Sequence, residues 1–181
     1  MKVFLDTEFT ALKQQAALIS LALVAQDGRE FYAEISDYKS SEVSDWSREH
    51  VIPKLYINAP IATTQNNALT LIYGDRSLVR DALQTWIQSF NQIEIWADVL
   101  AYDWVLFCEL FGGALHIPEN IFYAPFDLAT LFKIKGFIEP RNHYERDVKR
   151  YEFAGADESK QHHALEDARV EKTCFNKLIS L

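Results

Sequence analysis

The alternation of apolar and polar positions predicts three strands in the first part of the chain. An apolar run over residues 2–5 stops at Asp6 and predicts a first strand that ends there. A nearly continuous apolar run over residues 16–25 predicts a second strand. A polar turn at 26–28 then leads to residues 30–35, which alternate with a period of two. These segments predict a hairpin with the first strand beside it.

The remainder of the chain shows mainly helical periodicity. Asp75 and Asp127 are predicted N-caps of two of the helices, because short acidic side chains accept hydrogen bonds from the first free amides. The last helix carries a clean apolar stripe of Ala164, Ala168, Cys174, Phe175 and Leu178. The predicted helices span residues 78–90, 104–111, 128–135 and 164–181.

Two short strands and two irregular regions complete the pattern. Residues 93–96 and 122–125 are predicted strands, and residues 36–60 are predicted to be irregular with one short helix. Residues 136–160 carry many charges without a sustained period and are predicted to form a long loop. Strands followed by interleaved strands and helices predict an α/β fold, a mixed five- to six-stranded sheet flanked by helices.

Composition narrows the class of protein. The chain has 181 residues, of which 49% are hydrophobic and 24% charged, as is typical of a globular protein with one domain over residues 1–181. The net charge of −8 argues against a broad surface that coats nucleic acid through Lys and Arg. It is compatible with a nucleic-acid enzyme whose carboxylates hold metal cations.

The chain gives no sign of export, membrane insertion or disulfide bonding. Its amino terminus lacks the apolar stretch of a signal peptide, and no apolar run approaches the length of a membrane span. Cys108 and Cys174 lie in apolar helical contexts and are predicted to be buried, reduced thiols. A cytoplasmic location with no membrane partner is expected.

Asp6 and Glu8 are the first candidate site residues. Residues i and i+2 of an extended chain point to the same side, so the two carboxylates converge at the end of the first strand. A hard divalent cation would relieve the repulsion between them. Taken alone, such a pair is more often simply solvated.

Asp103 is the second candidate, near the beginning of a predicted helix. An ordinary role as N-cap or first-turn residue would also explain it. Asp98 lies closer to the preceding strand end and competes with it for a functional role.

The third candidate group is His162, His163 and Asp167. His163 precedes Asp167 by four residues, so helical geometry alone favours His163 as its partner. His162 would instead act from the loop before the helix. The residues themselves leave this choice open.

The combined order of these residues resembles that of the DnaQ-like, DEDDh-type 3′-5′ exonucleases of the ribonuclease H-like superfamily. The segments 4–9 and 102–107 resemble the first two family motifs, and residues 162–168 resemble the third, His-x-Ala-x-x-Asp-Ala. The third motif selects His162 over His163. The second motif departs from the commonest form, because Asp98 or Val99 stands where that form carries an asparagine.

The resemblance implies a fold, a reaction and a set of roles. It implies a ribonuclease H-like sheet and a metal-dependent exonuclease that releases nucleoside 5′-monophosphates by two-metal hydrolysis of the phosphodiester. His162 would be the general base. Thr7 and Phe9 would contact the terminal nucleotide, although core packing explains Phe9 about equally well. The ligands of two Mg²⁺ or Mn²⁺ ions would be Asp6, Glu8, Asp103 and Asp167.

The sequence says less about the type of nucleic acid and the assembly state than about the reaction. The chain looks most like small bacterial and phage exoribonucleases, so single-stranded RNA 3′ ends are the expected substrate. DNA 3′ ends, as in proofreading or repair, are the alternative, and a catalytically silent nucleic-acid-binding module is a third. The segment 133–150 has six basic and three acidic residues and either guides phosphates or is simply solvated. Many relatives pair, so the resemblance allows a homodimer, which no sequence feature requires.

Overall fold

The computed structural model describes residues 1–58, 68–137 and 149–181. In these residues six strands form one mixed sheet in the order β4-β3-β2-β1-β5-β6. The strands are β1 (Lys2–Phe9), β2 (Leu18–Ala25), β3 (Glu30–Ile35), β4 (Leu69–Gly74), β5 (Glu94–Ala97) and β6 (Phe126–Asp127).

Helices precede and follow the later strands. Asp75 and Asp127 cap α2 and α4, because their carboxylates accept hydrogen bonds from the amides of Leu78 at 2.9 Å and Thr130 at 2.8 Å. Both predicted caps are confirmed. The α-helices are α1 (Asp45–His50), α2 (Arg76–Gln88), α3 (Ala101–Leu110), α4 (Leu128–Ile134), α5 (Arg150–Ala154) and α6 (Ala164–Ile179).

The strand β1 lies inside the sheet and has helices on both of its faces. It pairs antiparallel with β2 and parallel with β5. Val3 and Leu5 pack in a core with residues of α2 and α3, whereas Phe4 packs with α4, α5 and α6. Because side chains alternate along a strand, Thr7 continues the face of Val3 and Leu5. Asp6 and Glu8 continue the other face, toward α6.

The predicted sheet and most of its elements are confirmed. The hairpin of β2 and β3 has β1 beside it, and the final helix buries the predicted apolar stripe. Cys108 and Cys174 are buried free thiols, as predicted. Within the described part of the chain, no helix is both long and apolar enough to span a membrane.

Several boundaries and three elements differ from the prediction. The strand β1 continues past Asp6 to Phe9, because pairing with β2 supports polar residues as well as apolar ones. No sequence pattern predicted β4, which forms by parallel pairing with β3. The predicted strand at 122–125 is wrong: pairing with β5 occurs at β6, two residues long.

The helical predictions need two corrections. The helix α3 begins at Ala101 rather than at residue 104. The predicted loop 136–160 contains α5 and a 3-10 turn at Glu158–Lys160. The short helix α5 packs on α6, so a tertiary contact stabilises a segment with little helical periodicity of its own.

Candidate active site

A cavity of about 610 Å³ opens where the end of β1 meets α3, α5 and α6. It brings together every residue that the sequence singled out as catalytic or substrate-binding. These residues line the cavity: Asp6, Thr7, Glu8, Phe9, Asp103, His162 and Asp167.

Three carboxylates form a tight cluster in this cavity. Asp6, Glu8 and Asp167 each place an oxygen within 4.8 Å of the others. Burial, followed by the negative charges of Asp167 and Asp103, raises the pKa of Glu8 to about 8. The same causes raise the pKa of Asp6 well above its usual range. Among the described residues, the Asp6 Oδ2 atom has no hydrogen-bond partner.

This cluster fits a hard divalent cation. It offers only oxygen ligands, which Mg²⁺ and Mn²⁺ prefer. Its like charges repel one another, and one buried oxygen has no hydrogen-bond partner within the described part of the chain. A bound cation would relieve the repulsion and give that oxygen a partner.

Asp103 lies next to this cluster, held by the other face of β1. Its Oδ1 atom accepts hydrogen bonds from the amide of Thr7 at 3.0 Å and from the Thr7 hydroxyl at 2.7 Å. The N-cap of α3 is Leu100 and Asp103 lies in the first turn, so the predicted N-cap role is wrong and the predicted first-turn position is confirmed. Burial raises the pKa of Asp103 to about 6, and the Thr7 hydrogen bonds oppose that rise.

Asp167 is oriented by neighbours on two elements. The Tyr151 hydroxyl donates to its Oδ1 atom at 2.7 Å, and the His163 amide donates to its Oδ2 atom at 3.1 Å. Burial raises the pKa of Asp167 to about 6, while the Tyr151 hydrogen bond lowers it. Tyr151 was not a candidate site residue, because α5 was not predicted.

The two adjacent histidines occupy different environments. His162 lines the cavity, and its ring meets the Trp46 ring edge-on with centroids 4.8 Å apart. His163 is buried and stacks on Tyr32 with centroids 4.9 Å apart. Neither His163 ring nitrogen has a hydrogen-bond partner among the described residues.

A backbone reversal separates these side chains. His162 has φ 67°, in the left-handed region that non-glycine residues seldom adopt. The Lys54 ammonium donates to the carbonyl of Gln161, the residue before it, and supports this conformation. Burial and then the charge of Lys54 lower the pKa of His162 below its usual value. Burial lowers the pKa of His163 to about 4.

Asp98, the competitor of Asp103, is an ion-paired residue. Arg150 donates to both of its carboxylate oxygens, at 2.7 Å and 3.1 Å, and the Arg150 guanidinium lies over the Phe132 ring. Arg150 is the end of the basic segment 133–150. Residues 138–148 of that segment lie outside the described residues.

Exposed apolar side chains form the outer wall of the cavity. Phe9 stacks on Tyr102 with ring centroids 5.4 Å apart, and Phe9 is half-buried. Trp46 is 51% exposed and Leu12 is 77% exposed at the same opening. Trp46, Tyr102 and Leu12 were not among the predicted site residues. An exposed tryptophan in a charged segment was the available signal.

Glu171 is a further carboxylate of the cavity that sequence reasoning missed. It is 4% exposed, and its Oε1 atom accepts a hydrogen bond from the Asp98 amide at 2.8 Å. Burial, followed by the charge of Asp98, raises the pKa of Glu171 well above its usual range. The available signal was an acidic residue within the apolar stripe of α6.

Comparisons with known proteins identify the family of the chain. Residues 1–179 match a family model described as the 3′-5′ exoribonuclease Rv2179c-like domain. Two Mycobacterium tuberculosis proteins, 3′-5′ exoribonuclease Rv2179c of strain H37Rv and 3′-5′ exoribonuclease MT2234.1 of strain CDC 1551, are each 32% identical over 184 residues. The match covers 99% of this chain and 94% of each relative.

A solved structure also matches at low identity. The Neurospora crassa Pan2 catalytic unit, with its protease and nuclease domain, has 14% identity and a TM-score of 0.48. The match covers 99% of this chain but only 27% of that one.

The mixed sheet and its carboxylate-lined cavity, taken with the family match, define an α/β enzyme of the nuclease class. The chain belongs to the Rv2179c-like 3′-5′ exoribonuclease domain family, which covers nearly its whole length. The predicted class of enzyme is thereby confirmed, and nucleic acid is its substrate class.

Proposed function

We propose that the whole chain forms one exonuclease domain that removes nucleoside 5′-monophosphates from the 3′ end of single-stranded RNA with the help of divalent cations. The observation that carries the proposal is the convergence of Asp6, Glu8 and Asp167 within 4.8 Å, beside Asp103. The names of the family and of its two mycobacterial relatives support RNA as the substrate.

The four acidic residues would hold the cations, Mg²⁺ or Mn²⁺. Asp6, Glu8 and Asp167 offer the converging oxygens. Asp103, which lines the same cavity, would complete the set directly or through water. Two bound divalent ions supply Lewis-acid stabilisation of charge on the attacking and leaving oxygens of a phosphodiester. The chain contributes orientation, because Thr7 and Tyr151 fix the Asp103 and Asp167 carboxylates before any cation binds.

His162 would act as the general base. Its lowered pKa leaves the ring neutral at neutral pH, so a ring nitrogen is ready to accept a proton from the attacking water. Its place in the loop before α6 turns the ring to the cavity. His163 is excluded from this role by its position, since it packs between Tyr32 and Tyr56.

The apolar wall would receive the terminal nucleotides. Unstacked bases gain free energy by packing on aromatic side chains, and Trp46 and the Phe9–Tyr102 pair present such surfaces. A base inside a duplex has no free face, so this wall favours a single-stranded end. Thr7 lies behind Asp103 in this arrangement and orients that carboxylate, while Phe9 contacts the nucleotide.

The test uses a 5′-labelled single-stranded RNA and counts products by length. With Mn²⁺ or Mg²⁺ the wild-type protein is expected to give a ladder shortened from the 3′ end and free nucleoside 5′-monophosphates. Addition of EDTA is expected to stop the reaction. Internal cuts, or unchanged activity in EDTA, would contradict the proposal.

A matched DNA oligomer tests the alternative of a DNA exonuclease. RNA and DNA of the same sequence, each with a 3′ overhang, are compared at equal protein and Mn²⁺ concentrations. Faster release from DNA would favour the proofreading or repair type. Binding of both nucleic acids without cleavage of either would favour the catalytically silent module.

A further inference from the structure

Glu171 interrupts the buried apolar face of α6. That face is otherwise formed by Ala164, Ala168, Phe175 and Leu178, all buried. Glu171 is equally buried, and its Oε2 atom has no hydrogen-bond partner among the described residues. A buried carboxyl costs free energy that an apolar side chain in the same place would not. A buried carboxyl at this position therefore suggests a role for a hydrogen-bond acceptor, which a hydrocarbon side chain lacks.

The other oxygen of Glu171 makes one hydrogen bond. Oε1 accepts from the amide of Asp98 at 2.8 Å. Asp98 directly follows β5, and residues 98–100 connect that strand to α3. Glu171 thus joins two elements that are far apart in the sequence.

The connection 98–100 is a strained turn. Val99 has φ 53°, a conformation that is unfavourable for a β-branched residue. Such strain persists only when surrounding contacts hold it. Two of these contacts are the Glu171 bond to the Asp98 amide and the Asp127 carboxylate, which accepts from the Val99 amide at 3.0 Å. A third is the Arg150 guanidinium on the Asp98 carboxylate.

The strained turn sets the position of one site carboxylate, and Glu171 lies beside another. Asp103 lies in the first turn of α3, immediately after residues 98–100. Asp167 lies four residues before Glu171 on α6, so both project from the same side of that helix. A single side chain therefore links the helix that carries Asp167 to the turn that directs Asp103.

We propose that Glu171 is a positioning residue that holds the strained turn through the Asp98 amide and thereby fixes the spacing of Asp103 and Asp167. The inference rests on the proposed function where it treats those two carboxylates as cation ligands. The structural part, the restraint of the turn, is independent of any cation. Glu171 itself touches neither substrate nor reacting atoms in this role.

Four variants separate this role from a general contribution to folding. Glu171→Leu and the smaller Glu171→Ala both remove the hydrogen-bond acceptor, so whichever folds serves as the test. Glu171→Gln keeps an oxygen that can accept from the Asp98 amide. Leu178→Ala is the matched control, because it weakens the packing of the same face of α6 at a position two helical turns after Glu171.

Hydrogen exchange of the Asp98 amide, measured by NMR without added metal, tests the restraint of the turn. We expect faster exchange, by about tenfold or more, in Glu171→Leu or Glu171→Ala, because the Asp98 amide then loses the carboxylate oxygen that accepts its hydrogen bond. Exchange in Glu171→Gln and Leu178→Ala should stay near the wild-type rate. Unchanged protection after removal of the acceptor would overturn the proposal.

Titration with Mn²⁺ by calorimetry tests the consequence for the site. Loss of a group that orients a ligand weakens metal affinity by about 10–100-fold, and we expect this in the apolar variants but not in Glu171→Gln or Leu178→Ala. Equal weakening in Glu171→Gln would show that charge rather than the acceptor matters and would overturn the proposal. If wild-type protein bound no Mn²⁺, the proposed function would fail, while the exchange result would still decide whether Glu171 restrains the turn.

Discussion

Thr7 donates two hydrogen bonds to one carboxylate oxygen of Asp103, from its amide at 3.0 Å and from its hydroxyl at 2.7 Å. The two residues are 96 positions apart, and Thr7 is buried. The middle residue of Asp6-Thr7-Glu8 therefore serves the cavity from the opposite face of β1. Two faces of one strand contribute to one site.

Replacing Thr7 tests this relationship. Thr7→Val should lower the free energy of unfolding by about 1.5–3 kcal/mol, because a hydroxyl bond to a buried carboxylate is lost. It should also reduce RNA cleavage, since Asp103 is then less firmly oriented. Thr7→Ser keeps the hydroxyl and should retain most of both properties, measured by denaturant unfolding and by the RNA ladder. Losses confined to Thr7→Ser, with Thr7→Val close to the wild type, would point to the methyl group instead and would contradict the prediction.

Removing a charge from the carboxylate cluster should separate activity from stability. Asp6→Asn and Asp167→Asn are expected to abolish cation-dependent nucleotide release. In EDTA the melting temperature of Asp6→Asn should rise, because burial and like-charge repulsion penalise the wild-type carboxylate. Activity is read from nucleotide release and stability from thermal unfolding. An inactive variant that is also less stable in EDTA would instead indicate a structural role for Asp6.

The stability of the protein in EDTA should fall as the pH rises from about 7 to 8. Glu8 has a pKa of about 8 in the folded protein, above its value in the unfolded chain, so its contribution is lost as the pH passes through that range. The expected slope is about 1 kcal/mol per pH unit for each carboxyl that binds a proton only in the folded state.

The measurement is made above pH 7 because His163 affects the stability of the protein at lower pH. Burial lowers the pKa of His163 to about 4, which makes the fold more stable as the pH rises toward the value of an unfolded histidine, about 6.5. At lower pH, this rise in stability opposes the fall in stability that the carboxylates cause. Denaturant unfolding at several pH values measures the slope, and saturating Mg²⁺ should flatten it. A stability that rises from pH 7 to 8 would contradict the prediction.

The two histidines should respond differently to substitution. His162→Ala is expected to lower turnover by about 10²–10⁴-fold with little change in stability, as for loss of a general base. His163→Phe should keep turnover near that of the wild type, because a phenyl ring can retain the stack on Tyr32. The His163 ring nitrogens also make no hydrogen bond to the described residues that this change would remove. Single-turnover cleavage of RNA and thermal unfolding provide the two measurements. Equal loss of turnover in the two variants would contradict the assignment.

Much of the fold could be predicted from the sequence because its signals are local. Continuous apolar runs predicted β2 and the first half of β1, and Asp75 and Asp127 marked the starts of α2 and α4. The strand β4 and the helix α5 could not be predicted in this way. The first depends on pairing with β3 and the second on packing against α6, and neither contact leaves a strong local pattern.

The same distinction between local signals and long-range contacts applies to the candidate site. The sequence alone singled out the carboxylates Asp6, Glu8, Asp103 and Asp167 as candidates, because their order resembles the family motifs. It could not show that Asp103 reaches β1 through Thr7, or that Asp98 is bound by Arg150. Each of these facts is a contact between elements far apart along the chain.

The sequence by itself determined the motif residues proposed for the site, while tertiary structure decided which way each side chain faces and added Tyr151 and Glu171 to the cavity. Helical spacing favoured His163, yet the left-handed backbone at His162 turns that residue to the cavity and His163 to the core. The spacing rule applies within α6, and both histidines precede its first residue. Glu171 shows the converse, because the same spacing that marks an apolar stripe also carries an acid into the interior. Periodicity predicts which face a residue occupies, and only the packed neighbours decide what that face contacts.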